Sequence, residues 1–335
     1  METKEKRPYD DCLIDLHLHL DGSLSVETVR ALAALQGEML ADDDETIRSR
    51  LSVSEGCRDL PEYLDKFVYP LSFLQTAEQL EACTRLLKED LQRRGLLYAE
   101  LRFAPQSHGQ RGLSQEEAVQ AVLRGSARCA LPTGVILCCM RGAGNEEQNR
   151  ETVRLAKKYL GKGVCALDIA GAEGLFPTAD YEELFAFAAS LGVPFTIHAG
   201  EGDGPESVRA ALAFGARRIG HGVRSVEDPA LLRDLAARGT PLELCPTSNL
   251  HTGMFPDYAS FPLRALLDAG VTVTLNSDNM AVSHTSVGEE LRHVEAACGL
   301  TGEEIRRLLL NAADAAFADA ETKTWLRGRI EAALP

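Results

Sequence analysis

The sequence predicts an α/β protein built as one (β/α)8 TIM barrel over residues 1–335. Three observations point there. Short strand-like runs alternate with longer amphipathic segments from one end of the chain to the other. The runs are nearly continuous apolar stretches, as parallel strands covered on both faces require. Reactive side chains cluster where the runs stop, the end of a barrel on which active sites form. The rival fold, an open doubly wound sheet, would carry a glycine-rich nucleotide turn after an early strand, and none is present.

In chain order, residues 1–10 are charged and polar and read as a flexible tail. The strand runs cover about residues 12–18, 96–104, 134–141, 164–170, 194–198, 217–221, 241–245 and 271–277. Ser114-Gln115-Glu116-Glu117 is a capping box opening onto Ala118, Val119, Ala121 and Val122, and Thr301-Gly302-Glu303-Glu304 opens a helix through Ile305, Leu308 and Leu309. Further helical patterns lie over about 150–160, 179–191, 205–214, 228–238 and 262–269. The interval between the first two strands, about 77 residues, exceeds what one crossover helix needs. Within it, Leu60, Tyr63, Leu64, Phe67, Leu71 and Leu74 recur at helical spacing. They are either extra core or a helical lid over the barrel mouth spanning about 58–75.

Composition narrows the function. The chain has 35 Lys plus Arg against 50 Asp plus Glu, a formal net charge of −15. Such a surface repels phosphate backbones, so no nucleic-acid partner is expected, whereas a neutral or cationic small molecule fits. No apolar run is long enough to cross a membrane, and the N-terminus lacks a signal-peptide pattern, which reads as a cytoplasmic protein. The nine cysteines are scattered without a C-x-x-C pair and read as reduced core residues. Oligomeric state has no signature here.

The strand-end clusters are His17-Leu18-His19, Asp168-Ile169-Ala170-Gly171, His198-Ala199-Gly200-Glu201, Gly220-His221-Gly222 and Ser277-Asp278-Asn279. His17 and His19, two apart on a strand, point to one side. A lone H-x-H pair arises easily by chance. Here His198 and Asp278 end other strands, and together the four donors make a nitrogen- and oxygen-rich site suited to Zn²⁺. Such an ion holds water and lowers its pKa toward neutrality. Glu201 lies close enough to deliver a proton from a dry mouth, and His221, where its flanking glycines leave the backbone uncrowded, to orient water or take its proton. An ordinary structural hydrogen bond is the competing reading for both. His108, His251, His284 and His293 have no such setting and read as surface or loop histidines. H-E-x-x-H, G-x-S-x-G and the H-x-E with P-C-x-x-C pattern are all absent.

Taken together with Tyr98-Ala99-Glu100-Leu101-Arg102-Phe103-Ala104-Pro105 and Cys245-Pro246-Thr247-Ser248-Asn249, these motifs resemble the adenosine deaminases of the amidohydrolase superfamily, in family order over about residues 12–290. The resemblance implies one Zn²⁺ per chain on His17, His19, His198 and Asp278. It implies attack of activated water on C6 of a purine nucleoside, with Glu201 protonating N1, and His221 and Asp278 managing the water. It further implies ribose contacts from Asp21 and His19, and N3 met by the Gly171 backbone. The fourth strand lacks the lysine that bridges two metals in dinuclear relatives. Asn279 departs from the aspartate many members carry there. Purine N7 is an acceptor, so an amide donor serves it without protonation, and the pH profile should differ from Asp-bearing relatives. Asp21, in place of the H-x-H-x-E-G of adenine-specific members, favours the nucleoside, either adenosine or 2′-deoxyadenosine. Adenine or a modified adenosine such as aminodeoxyfutalosine remains the alternative substrate. A silent purine-binding member would have lost a ligand or Glu201, and none is missing.

Overall fold

Each apolar run forms a strand, with ends within two residues of those read from the sequence. In the computed structural model, which describes residues 6–335 except 55 and 59, these are β1 (Leu13–His19), β2 (Leu96–Phe103), β3 (Thr133–Met140), β4 (Val164–Ala170), β5 (Thr196–Ala199), β6 (Arg218–His221), β7 (Leu242–Leu244) and β8 (Val273–Leu275). All adjacent pairs are parallel, in two four-stranded sheets that follow chain order. Single parallel bridges span both seams, Leu167 to Phe195 between β4 and β5 and Leu18 to Asp278 between β1 and the end of β8. The architecture is that of the TIM barrel. At the second seam the Asp278 N–H donates to the His17 carbonyl and the His19 N–H to the Asp278 carbonyl, each at 2.8 Å.

Helices follow the strands, and both capping boxes form as read: Ser114 accepts from the Glu117 N–H and Thr301 from the Glu304 N–H. In the long first interval the crossover to β2 is made by Ala77–Arg93, which buries Leu80, Cys83, Leu87 and Leu91 at three- and four-residue spacing. The shorter helices Val26–Leu35, Asp44–Leu51, Leu60–Asp65 and Val68–Leu71 are additions to the plain barrel.

Two expectations change. Residues 1–5 of the expected tail lie outside the described residues. Pro8–Asp11 instead form a 3-10 turn, with the Tyr9 ring buried, its hydroxyl donating to Glu295 at 2.7 Å, and Asp10 paired with Arg292 at 2.6 Å. The strands are also less apolar inside than their composition suggests. Asp15, Glu100, Arg102, Asp168, Arg218 and Glu243 are all buried within them. Charged residues there answer one another, and the site is built on top of them.

Candidate active site

β1, β5 and the end of β8 bring four donors together. His17 Nε2 lies 3.0 Å and His19 Nε2 3.3 Å from His198 Nε2. Asp278 Oδ1 lies 3.5 Å from His17 Nε2 and 3.3 Å from His19 Nε2. The four ligand atoms fall within 4.8 Å of one another and are buried. Unlinked, so many lone pairs would repel; a cation among them satisfies all four. Asp278 reaches this point through a left-handed backbone (φ 59°), a conformation costing a non-glycine residue about 1–3 kcal/mol. The pair of hydrogen bonds to β1 holds it there.

The imidazoles are oriented from behind. His17 Nδ1 lies 2.7 Å from Glu243 Oε2, and His198 Nδ1 2.9 Å from Asp168 Oδ2. Carboxylates on the far nitrogen present Nε2 as the free lone pair, as metal-binding histidines require. Neither carboxylate stands alone. Arg102 bridges them, at 2.6 Å to Asp168 and 2.8 Å to Glu243, and Arg218 bonds Glu243 and Glu100, each at 2.6 Å. Burial alone would push the Glu243 carboxyl up; the guanidiniums of Arg102 and Arg218 outweigh it and hold it well below the ordinary range. Burial lowers His17 to about 4 and His19 well below its ordinary value, which keeps both imidazoles neutral and able to ligate. The supporting role of this layer escaped the sequence reading, although Glu100, Arg102 and Asp168 stand in quoted motifs. A second donor set (His17, His221, Cys245 and Asp278) overlaps the first. Burial pushes the Cys245 thiol well up, however, and a thiol is a far poorer ligand than a thiolate.

Glu201 and His221 complete the floor. His221 Nε2 lies 3.6 Å from Glu201 Oε2. Burial raises the Glu201 carboxyl, with nearby His221 opposing. His221 also adopts a left-handed backbone (φ 59°), and its Nδ1 lies 3.3 Å from Asn249 Nδ2. The glycine before it is there for closeness, not for an uncrowded backbone: a Cβ on Gly220 would come within 3.1 Å of His17 Cε1 and His198 Cα. The Glu201 loop is gathered by a residue the sequence did not single out. The Glu173 carboxylate accepts the N–H groups of Gly200, Glu201, Gly202 and Asp203 at 2.7–3.1 Å, and the Ser207 hydroxyl as well.

Above the floor opens a cavity of about 310 Å³, at the lower end of the roughly 300–1,000 Å³ usual for small-molecule sites. His19, Asp21, Gly171, His198, Glu201, His221, Asp278 and Asn279 line it; His17, fully buried, lies beneath. Its roof is apolar: Leu60, Tyr63, Leu64, Phe67 and Leu71 from the helices Leu60–Asp65 and Val68–Leu71 and the turn between them. Of the two readings of that segment each holds for a part: Leu60, Tyr63, Leu64, Phe67 and Leu71 cover the cavity, whereas Phe73 and Leu74 are buried in the core; residue 59 lies outside the described residues. Asp21 is buried, and its Oδ1 has no hydrogen-bond partner among the described residues, an acceptor waiting in the wall. Gly171 sits at φ 113°, which a side chain would resist. Asn279 is buried, with Nδ2 donating to the Tyr63 hydroxyl at 3.1 Å. His108, read as a surface or loop residue, is fully buried, its Nδ1 2.8 Å from the Leu74 carbonyl beneath the lid segment.

The sequence model of the family described as Adenosine deaminase matches residues 12–333. The chain is 48% identical to an adenosine deaminase of Haemophilus ducreyi over 96% of each chain. It is 38% identical to an adenosine deaminase of Clostridium botulinum over 94% of this chain and 95% of that one. Among solved structures, an adenine deaminase from Arthrobacter aurescens superposes with a TM-score of 0.86 at 27% identity, covering 96% of this chain and 98% of that one.

Proposed function

The chain belongs to the adenosine deaminase family, and we propose that it removes the 6-amino group of adenosine and 2′-deoxyadenosine by hydrolysis, releasing inosine or deoxyinosine and ammonia as a step of purine salvage. One observation carries this reading: three imidazoles and a carboxylate converge beside a Glu201–His221 pair, under a lidded cavity of small-molecule size.

His17, His19, His198 and Asp278 would hold one Zn²⁺, which would supply Lewis-acid activation of a water. The residues around it do the rest. Glu201, whose carboxyl burial raises, delivers a proton to ring N1, which makes C6 electrophilic. His221 and Asp278 hold the attacking water and take up its proton. Water oxygen bonds to C6 and the C6–N bond breaks; the Glu201 proton stays on N1, one water proton leaves with the amine as ammonia and the other restores the Glu201 carboxyl. The unpartnered Asp21 Oδ1 accepts a ribose hydroxyl, with His19 beside it, which favours a nucleoside over free adenine. The Gly171 N–H meets N3, and an Asn279 N–H meets N7. The apolar roof excludes bulk water. Nine cysteines without a disulfide fit a reducing, cytoplasmic setting.

The test is turnover of adenosine, 2′-deoxyadenosine, adenine and aminodeoxyfutalosine, followed by ultraviolet absorbance, with metal content measured on the same sample. The nucleosides should be consumed in preference to adenine, with about one zinc per chain. No turnover of adenosine at millimolar concentration would sink the reading. Glu201→Gln should lose at least ~10³-fold in kcat with zinc retained, within the range for a general acid; retained activity would remove Glu201 from that role.

A further inference from the structure

Asn279 lies at the cavity wall with an amide that can face two ways. Turned one way it offers N–H donors; turned the other it offers an acceptor, and the two ends are nearly the same size. What selects the orientation stands on the lid. Tyr63, on the helix Leu60–Asp65, is buried, and its hydroxyl sits 3.1 Å from Asn279 Nδ2 and 2.7 Å from Ser283 Oγ. The hydroxyl has one proton. Given to Ser283, it leaves the Tyr63 oxygen able only to accept, so Asn279 must turn its nitrogen toward the tyrosine. The opposite end, Oδ1, is packed against Gly22, where even a Cβ would come within 1.8 Å of it. One proton of the amide nitrogen then goes to Tyr63 and the second remains for a ligand.

We propose that Tyr63 is a specificity-determining positioning residue: its hydroxyl fixes the Asn279 amide with a donor toward the cavity, so that the closed lid selects ring systems bearing an acceptor at that edge. The inference rests on the purine nucleoside reading and deepens it. An aspartate at position 279 would need a proton to play this part; the asparagine needs only its orientation held. Tyr63 thus does by hydrogen bonding what protonation would otherwise do, and lid closure and recognition of the ring edge become one event.

The experiment compares adenosine with 7-deazaadenosine, in which a C–H replaces the N7 acceptor. Wild type and Tyr63→Phe are assayed for adenosine kcat/KM and for the inhibition constant of 7-deazaadenosine against adenosine turnover. Loss of the hydroxyl should lower adenosine kcat/KM about tenfold while moving the 7-deazaadenosine constant less than twofold. If adenosine kcat/KM falls and the 7-deazaadenosine constant rises in step, Tyr63 acts only as lid packing and the proposal is overturned; it is equally overturned if neither moves. Should Tyr63→Phe fold poorly, as judged by its melting temperature, the same comparison made on Ser283→Ala, which removes the acceptor that orients the hydroxyl, carries the test: a smaller, adenosine-only loss is expected, and an equal loss on both ligands refutes it. A double variant with Asn279→Ala should lose no more than Asn279→Ala alone, and additive losses would count against the coupling. Absence of wild-type turnover of adenosine would instead overturn the nucleoside reading, and this inference with it.

Discussion

At the scale of single residues, two carboxylates show how one side chain governs a neighbourhood. Glu173 gathers four consecutive N–H groups of the loop that carries Glu201. Glu173→Gln would place an NH₂ against donors, at a cost of about 1–3 kcal/mol for each group left unsatisfied. The loop should loosen: kcat falling ~10–100-fold with zinc content unchanged, measured by steady-state kinetics and metal analysis. An unaltered kcat would mean the loop holds its shape without Glu173. Glu290 makes the second case. Burial pushes its carboxyl up to about 7, against hydrogen bonds from Thr285 Oγ1 and the Thr247 N–H that oppose the rise. A raised folded pKa means stability present below the unfolded value near 4.5 and lost as pH climbs through about 7. Glu290→Gln should therefore melt higher than wild type at pH 8, by on the order of 3 kcal/mol in stability, with the advantage gone by about pH 4. A melting difference independent of pH would show that Glu290 is not the titrating group. Neither residue was legible in the sequence. Glu173 sits in a polar turn whose partners begin 27 residues onward, and Glu290 in an ordinary first turn of a helix.

At the scale of elements, the sequence was legible wherever local chemistry decides the outcome. Strands buried on both faces need unbroken apolar runs, so all eight could be read, and capping boxes announce helix starts because their hydrogen bonds are local. The His17/His19 pair and the donors at later strand ends were legible for a related reason. A period of two sets the side, and a barrel sets the end, so type and position together fix a meeting point. The lid was legible only as an apolar excess. Its residues could have been core, since periodicity says which face is apolar and not what that face covers. Phe67 now separates the two uses: it lines the cavity yet remains partly exposed. Phe67→Ala should raise KM for adenosine ~3–10-fold, the worth of losing part of one apolar contact surface, while shifting the melting temperature little. A large drop in melting temperature with unchanged KM would make it a core residue after all.

At the scale of the whole molecule, the barrel interior is a charged layer that joins strands far apart in sequence. Arg102 on β2 links Asp168 on β4 to Glu243 on β7, and Arg218 on β6 links Glu243 to Glu100 on β2. The bonds join partners 25 to 141 residues apart, so no short window of sequence displays them, and the same residues read one strand at a time are only exceptions to an apolar run. This layer has two duties. It neutralises charge that could not be left unpaired in the interior, and it sets the far nitrogens of His17 and His198, so that core and metal site share their parts. Glu243 stands where the duties meet, touching His17, both arginines and the Thr196 hydroxyl. Glu243→Gln keeps the shape but leaves each buried guanidinium with one carboxylate, Asp168 or Glu100, where it had two. Stability should fall by about 3–5 kcal/mol, as when one partner of a buried pair is removed. Zinc affinity should fall ~10–100-fold as the support of His17 weakens. Thermal unfolding and competitive chelator titration read the two effects separately. A variant that loses stability but binds zinc as wild type would confine Glu243 to the core; one that loses zinc affinity at full stability would confine it to the site. Loss of both is what a shared layer requires.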